Sequence, residues 1–162
     1  MNAYDNSIRY TDNFLARIIH LLKQQQVDAS MLYTSDHGED IFDDGRHLFL
    51  HASPVPSYYQ LHVPLLLWTS DSYRKEYPRI EKAASMNRQK NISSSISFFQ
   101  TMMELAGIET PYRNDSLSVT SPLYTEKSRV YLNDHNEPRP LDDIGMRKED
   151  FEMLKKRGID AQ

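Results

Sequence analysis

The sequence predicts an α/β protein, on three observations. Two segments carry apolar residues at helical spacing, one segment is a near-continuous apolar run of strand length, and the two types alternate along the chain. With 162 residues, 39% of them hydrophobic and 26% charged, the chain has the size of one domain or one large piece of a larger domain.

The elements follow in order. Ile8, Thr11, Leu15, Ile18, Ile19 and Leu22 share one helical face, which predicts a helix over about residues 6–25 with Asp5 or Ser7 as its cap. Ser30 to Ser35 reads as a short buried strand that ends at Asp36-His37-Gly38. Val63 to Thr69 is a second strand, and its apolar run suits a strand covered on both faces, as in a parallel sheet flanked by helices. A loop of about 25 residues separates the two, and loops of that length inside a domain are commonly functional. Ser93 to Ala106 predicts a second long helix, capped by Ser93, Ser94 or Ser95, with Ile96, Phe99 and Met103 as its apolar stripe and Gly107 as its stop. Arg129 to Leu132 suits a third strand, and Glu149 to Lys156 a terminal helix closed by Gly158. Residues 70–92 and 133–147 read as surface connections.

Composition narrows the function. Nineteen basic residues against 23 acidic ones give a net charge of -4, which argues against a nucleic-acid partner. No cysteine is present, so a disulfide scaffold, a thiolate metal site and a thiol nucleophile are excluded. The longest apolar stretch, Val63 to Trp68, falls far short of the about 20 residues of a transmembrane helix. The first residues show neither the basic nor the apolar part of a signal peptide.

The densest chemistry is Ser35-Asp36-His37-Gly38-Glu39-Asp40, just past the carboxyl end of a strand, the edge where open α/β sheets place ligands. In a continuing strand Asp36 and His37 would point to opposite faces, but once the chain turns both can converge on one ion, and Gly38 supplies the backbone freedom for that turn. A carboxylate oxygen and an imidazole nitrogen suit zinc, with two further ligands needed from elsewhere. The plainer alternative is a turn aspartate beside a loop histidine. Five acids between Asp36 and Asp44 call for water or a cation to screen them, in a spacing unlike an EF-hand loop. His51, in a loop stiffened by Pro54 and Pro56, suits a proton donor or a phosphate partner, with a solvated loop histidine as the plainer alternative. His47 reads as a solvated loop residue, His20 as a helix-packing residue, and His62 as a support for a ligand or for the fold. Asn133-Asp134-His135-Asn136 reads as a turn, and Tyr58-Tyr59 as packing or a ligand contact.

Three stretches together resemble the alkaline phosphatase and sulfatase superfamily, and within it the lipid A (lipopolysaccharide) phosphoethanolamine transferases. They are Tyr4 to Asp12, then Ser35-Asp36-His37-Gly38-Glu39 with Phe49-Leu50-His51 and His62 to Trp68, and finally Ser97 to Ile108. The likeness covers roughly residues 4–110, within a partial sulfatase-like catalytic domain over 1–162. It implies the C-terminal part of a sheet sandwiched between helices. It further implies that Asp36 and His37 are adjacent zinc ligands and that His51 lies at the phosphoryl group, with Arg46-His47 as extra loop residues before it. The family's threonine nucleophile and glutamate ligand match nothing in this chain, so the resemblance implies the C-terminal portion of a longer, membrane-anchored periplasmic enzyme. Its partners would be a phospholipid donor and lipid A or another envelope acceptor. The isolated chain is then expected to be inactive and to bind zinc weakly. A sulfatase or phosphodiesterase of the same superfamily and a non-catalytic cation- or partner-binding module are the alternatives. An incomplete sheet edge would favour self-association.

Overall fold

The computed structural model describes residues 2–51, 53–132, 135 and 137–159. Helix α1 (Asn2–Gln25) is followed by strand β1 (Ser30–Thr34), the short strands β2 (Asp40–Ile41) and β3 (Phe49–Leu50), and one helical turn α2 (Tyr58–Leu61). Strand β4 (Leu65–Thr69), helices α3 (Asp71–Glu76), α4 (Pro78–Asn87) and α5 (Ser94–Leu105), and strands β5 (Val130–Leu132) and β6 (Pro138–Pro140) come next, and α6 (Lys148–Lys156) ends the chain. Single 3-10 turns occupy Asp115–Leu117 and Leu141–Asp143.

Helix α1 begins earlier than predicted because neither proposed cap acts as one. Asp5 lies inside the first turn, where its charge complements the helix dipole, and the Ser7 hydroxyl donates to the Tyr4 carbonyl. The predicted turn over 133–136 lies largely outside the described residues, with only His135 within them.

Strands β1 and β4 pair antiparallel, from Ser30 opposite Thr69 to Thr34 opposite Leu65, which corrects the parallel arrangement expected from the apolar run. The segment between them turns back on itself, so no crossover helix is needed and the second strand returns in the opposite direction. Leu32 and Leu67, directly opposite each other, pack against a core of Tyr73, Ile80 and Leu105 from α3, α4 and α5. Leu66, on the alternate face of β4, is exposed.

Residues 70–92 are therefore two helices rather than a surface connection. The Ser70 hydroxyl accepts from the Tyr73 N–H to start α3, and Pro78 occupies the first turn of α4, where no amide donor is missed. Ile80, Ala83 and Asn87 form the buried face of α4. The connection expected over 133–147 likewise contains β6, paired with β5 from Val130 opposite Pro140 to Leu132 opposite Pro138.

The buried face of α5 also differs from the predicted stripe. Ser97, Thr101, Glu104 and Leu105 are buried, whereas Phe99 is exposed. Polar residues turn inward because the facing segment offers polar partners. The Val119 amide donates to the Thr101 hydroxyl, and the Thr120 hydroxyl donates to Glu104. Asn87 completes this contact by donating to the carbonyls of Val119 and Ser121.

A second core joins Tyr58, Leu141, Met146 and Leu154, and it carries the loop beyond β1. The Gly38 N–H donates to the Gln60 carbonyl at 2.8 Å, and a Cβ on Gly38 would sit 2.0 Å from the Tyr59 carbonyl oxygen. Glycine is thus required here for close backbone approach. Gly38 is not among the positive-φ residues, so the turn freedom expected of it is not what it supplies.

Two outcomes are expected. Gly38→Ala separates the loop from α2, visible as faster amide exchange at residue 38, because the obstructing atom is backbone and cannot rotate away. Asn87→Ala takes the donor from the buried Val119 carbonyl and one of two donors from the Ser121 carbonyl, and lowers stability by about 1–3 kcal/mol in a urea titration.

Candidate metal and phosphoryl site

Strand β1 ends at Thr34, and the next four residues form the metal-binding candidate. The His37 N–H donates to Asp36 Oδ1 at 3.1 Å, which holds the Asp36 carboxyl below its usual pKa. The Ser35 hydroxyl donates to the His37 carbonyl at 2.7 Å and fixes the turn. His37 Nδ1 lies 3.0 Å from the Gly38 carbonyl, an acceptor, so Nδ1 carries the proton and Nε2 keeps its lone pair. That Nε2 is 3.7 Å from Asp36 Oδ2. Two ligands on tetrahedral zinc at about 2.0–2.2 Å each are about 3.4 Å apart, so the pair fits one shared ion with little movement. The carboxylate and imidazole donors are also of the right chemical type.

His51 reaches the same place by a different route. In the β2–β3 hairpin Asp40 pairs with Leu50 and Ile41 with Phe49, and the same register brings Glu39 opposite His51. Glu39 Oε1 and Oε2 lie 2.9 and 3.1 Å from His51 Nδ1. The His37 and His51 rings are 3.9 Å apart between centroids. His37, Glu39 and His51 each offer one ligand atom within 4.8 Å of the others, so this group could itself hold a metal ion. The Glu39–His51 contact is shorter than a zinc ligand–ligand edge, however, and it is a hydrogen bond through Nδ1. It orients the ring and leaves Nε2 as the nitrogen not engaged by Glu39.

The structure thus brings Asp36, His37 and His51 together, and adds Glu39. Sequence reasoning includes Glu39 in the motif and among five acids but gives it no role of its own. The signal that pairs it with His51 is the register of a two-residue ladder, which no spacing rule reveals. His47 is exposed and lies outside the group. His20 is exposed and within 3.0 Å of Gln24, which corrects its reading as a packing residue. His62 hydrogen-bonds to the Tyr58 hydroxyl at 2.8 Å and stacks on its ring, and partial desolvation lowers its pKa, so it supports the second core from its exposed rim. Tyr58 is buried in that core and is a packing residue.

The acidic loop is held by protein partners. The buried Asp40 carboxyl accepts from the Ser57 hydroxyl at 2.6 Å and from the Gln60 amide. Asp44 accepts from Arg46, which holds its carboxyl below the usual range, and Arg46 pairs with the buried Asp150 at 2.6 Å.

Comparison with known proteins gives this geometry its relatives. The family model described as Sulfatase matches residues 1–108. Phosphoethanolamine transferase EptA of Salmonella typhimurium is 33% identical over 127 residues, which are 75% of this chain and 23% of that protein. The crystal structure of the C-terminal periplasmic domain of EptC from Escherichia coli superposes with a TM-score of 0.69 at 28% identity, covering 78% of this chain and 35% of that one. The same domain described as a complex with Zn gives 0.65 at 24% identity, covering 88% and 40%, a likeness of fold alone. The chain therefore spans about a quarter of the length of the curated relatives it matches. Among the described residues no helix is long and apolar enough to cross a membrane. By the family match and the shared fold, this chain belongs to the sulfatase family.

Proposed function

We propose that this chain is the C-terminal portion of a zinc-dependent phosphoethanolamine transferase. The enzyme would move phosphoethanolamine from a phospholipid to a cell-envelope acceptor such as lipid A, at the periplasmic face of the inner membrane. The observation that carries this reading is the Asp36 Oδ2–His37 Nε2 pair, 3.7 Å apart at the end of β1. Similarity to EptA and to the periplasmic domain of EptC supports the reaction class and the location.

When bound, zinc would supply a Lewis acid for the phosphoryl group and its nucleophile. Asp36 and His37 would hold it through Oδ2 and Nε2, as half of a four-ligand site. The other two ligands and the threonine that the family uses would come from the rest of the enzyme. His51, held by Glu39 through Nδ1, would use Nε2 to protonate the leaving oxygen or to bind a phosphoryl oxygen. Gly38 and Asp40, tied to α2, keep these groups at fixed separation. Self-association belongs to the same reading. Among the described residues β1 and β4 pair only with each other, which leaves one edge of each strand for a second copy.

In the intact enzyme Asp36→Ala is expected to abolish turnover together with bound zinc, measured by metal analysis beside a phosphoethanolamine-transfer assay. His51→Ala is expected to slow transfer about 10²-fold and to leave the zinc in place. Equal metal loss in the two variants would make His51 a ligand and overturn its assigned role. Calorimetric titration of the 162-residue chain alone is expected to show weak zinc binding and no transfer. Tight stoichiometric binding with turnover by that chain would reject the half-site.

A further inference from the structure

We propose that Arg46 and Asp150 are positioning residues through which the C-terminal helix α6 holds His51 in the site. The proposal deepens the functional reading and rests on it for the role of His51.

The hairpin that delivers His51 has little of its own to hold it. Its ladder is two residue pairs long, and isolated hairpins even of ordinary length are marginal in water. Three of its non-glycine residues, Phe42, His47 and Leu50, have positive φ values of 63°, 55° and 61°, which a free chain would leave. Phe42 and Phe49 stack on each other but are both exposed, so apolar burial does not fix the hairpin, and the buried Asp40 ties only its first strand to Ser57 and Gln60.

Arg46 supplies the missing constraint. Its guanidinium donates to Asp150 Oδ2 at 2.6 Å through one terminal nitrogen and to Oδ1 at 3.0 Å through the other. Its Nε and backbone N–H donate to Asp44, which closes the hairpin tip. Both groups of the long-range pair are almost fully covered, with side-chain exposures of 10% and 2%. Asp150 also accepts the Tyr58 N–H at 2.9 Å, so one buried carboxylate joins α6, α2 and the hairpin. A planar fork bound at two points fixes direction as well as distance. From Arg46 the chain is carried by the Phe42–Leu48 backbone bond and the β2–β3 pairs to Leu50, the residue before His51. Asp150 lies outside the matched residues 1–108, so the anchor comes from a part of the chain that the family match does not cover.

The test is side-chain NMR on the full chain. With ring centroids 3.9 Å apart, His37 and His51 give a ring-to-ring NOE, and the Glu39 hydrogen bond gives the His51 Nδ1 a protonated-nitrogen signal. Arg46→Gln and Asp150→Asn are expected to lose the NOE and to shift that nitrogen toward a mixture of tautomers, with β1 and β4 amide signals unchanged. Asn87→Ala, which weakens a remote contact, is expected to keep both signals, so a general loss of stability would not imitate the result. Retention of the NOE in folded Arg46→Gln or Asp150→Asn overturns the proposal. If neither folds, Arg46→Lys decides, because it keeps the charge and loses the fork. A weakened NOE supports the clamp, and an unchanged one overturns it. The activity of His51→Ala tests the functional reading separately, since an active His51→Ala enzyme would reject that reading and leave the clamp standing.

Discussion

Buried carboxyl groups on the near and far sides of the long loop hold it in place. Asp40, one residue beyond Glu39, is tied to Ser57 and Gln60, and Asp150 receives both Arg46 and the Tyr58 amide. A buried carboxyl without partners is strongly unfavourable, so each of these groups specifies its neighbours more sharply than an apolar contact would. The loop is consequently polar in composition and still fixed in place. That reconciles a cluster of five acids with a defined site: Asp40 and Asp44 are satisfied by side-chain donors, Asp43 by the Ile41 amide, Glu39 by a histidine, and the exposed Asp36 by the next backbone amide.

What the sequence revealed and what it concealed divide along physical lines. Asp36, His37 and His51 stand out in the sequence as candidates because an Asp-His pair beyond a strand is local and the motif around it is characteristic. Helix α1 and strand β4 were legible because their patterns are long or strongly apolar. Strand direction was not, because an apolar run shows burial and says nothing about polarity of the chain. Helices α3 and α4 were missed although Ser70 and Pro78 mark their starts, because their buried faces are narrow and each helix is short. The inward face of α5 was misread for another reason: Ser97, Thr101 and Glu104 are buried against partners more than ten residues further along the chain. The roles of Glu39, Arg46 and Gly38 depend on contacts with residues 51, 150 and 59–60, and only the folded chain brings those together.

The hairpin shows how such a site is maintained against local preference. Left-handed backbone at a non-glycine residue costs about 1–3 kcal/mol, and the hairpin contains three such residues while its own Gly45 adopts no such angle. Leu50, the last residue of the ladder, is in the left-handed region, and His51 follows it with its ring 3.9 Å from that of His37. Conformations of this kind persist only where surrounding contacts determine them, and here those contacts come from α2 and α6.

Helix α1 carries a consequence of a different sort. Its stripe of Leu15, Ile18, Ile19 and Leu22 is only half covered, Ile8, Phe14 and Leu21 are exposed, and none of its described side chains is fully buried. A helix of 24 residues held mainly by its own backbone bonds shares little free energy with the two cores. It is expected to open as a separate unit. Circular dichroism of this chain would then report a broad helix–coil transition superposed on the sharper unfolding of the remainder, and a single melting temperature would describe neither.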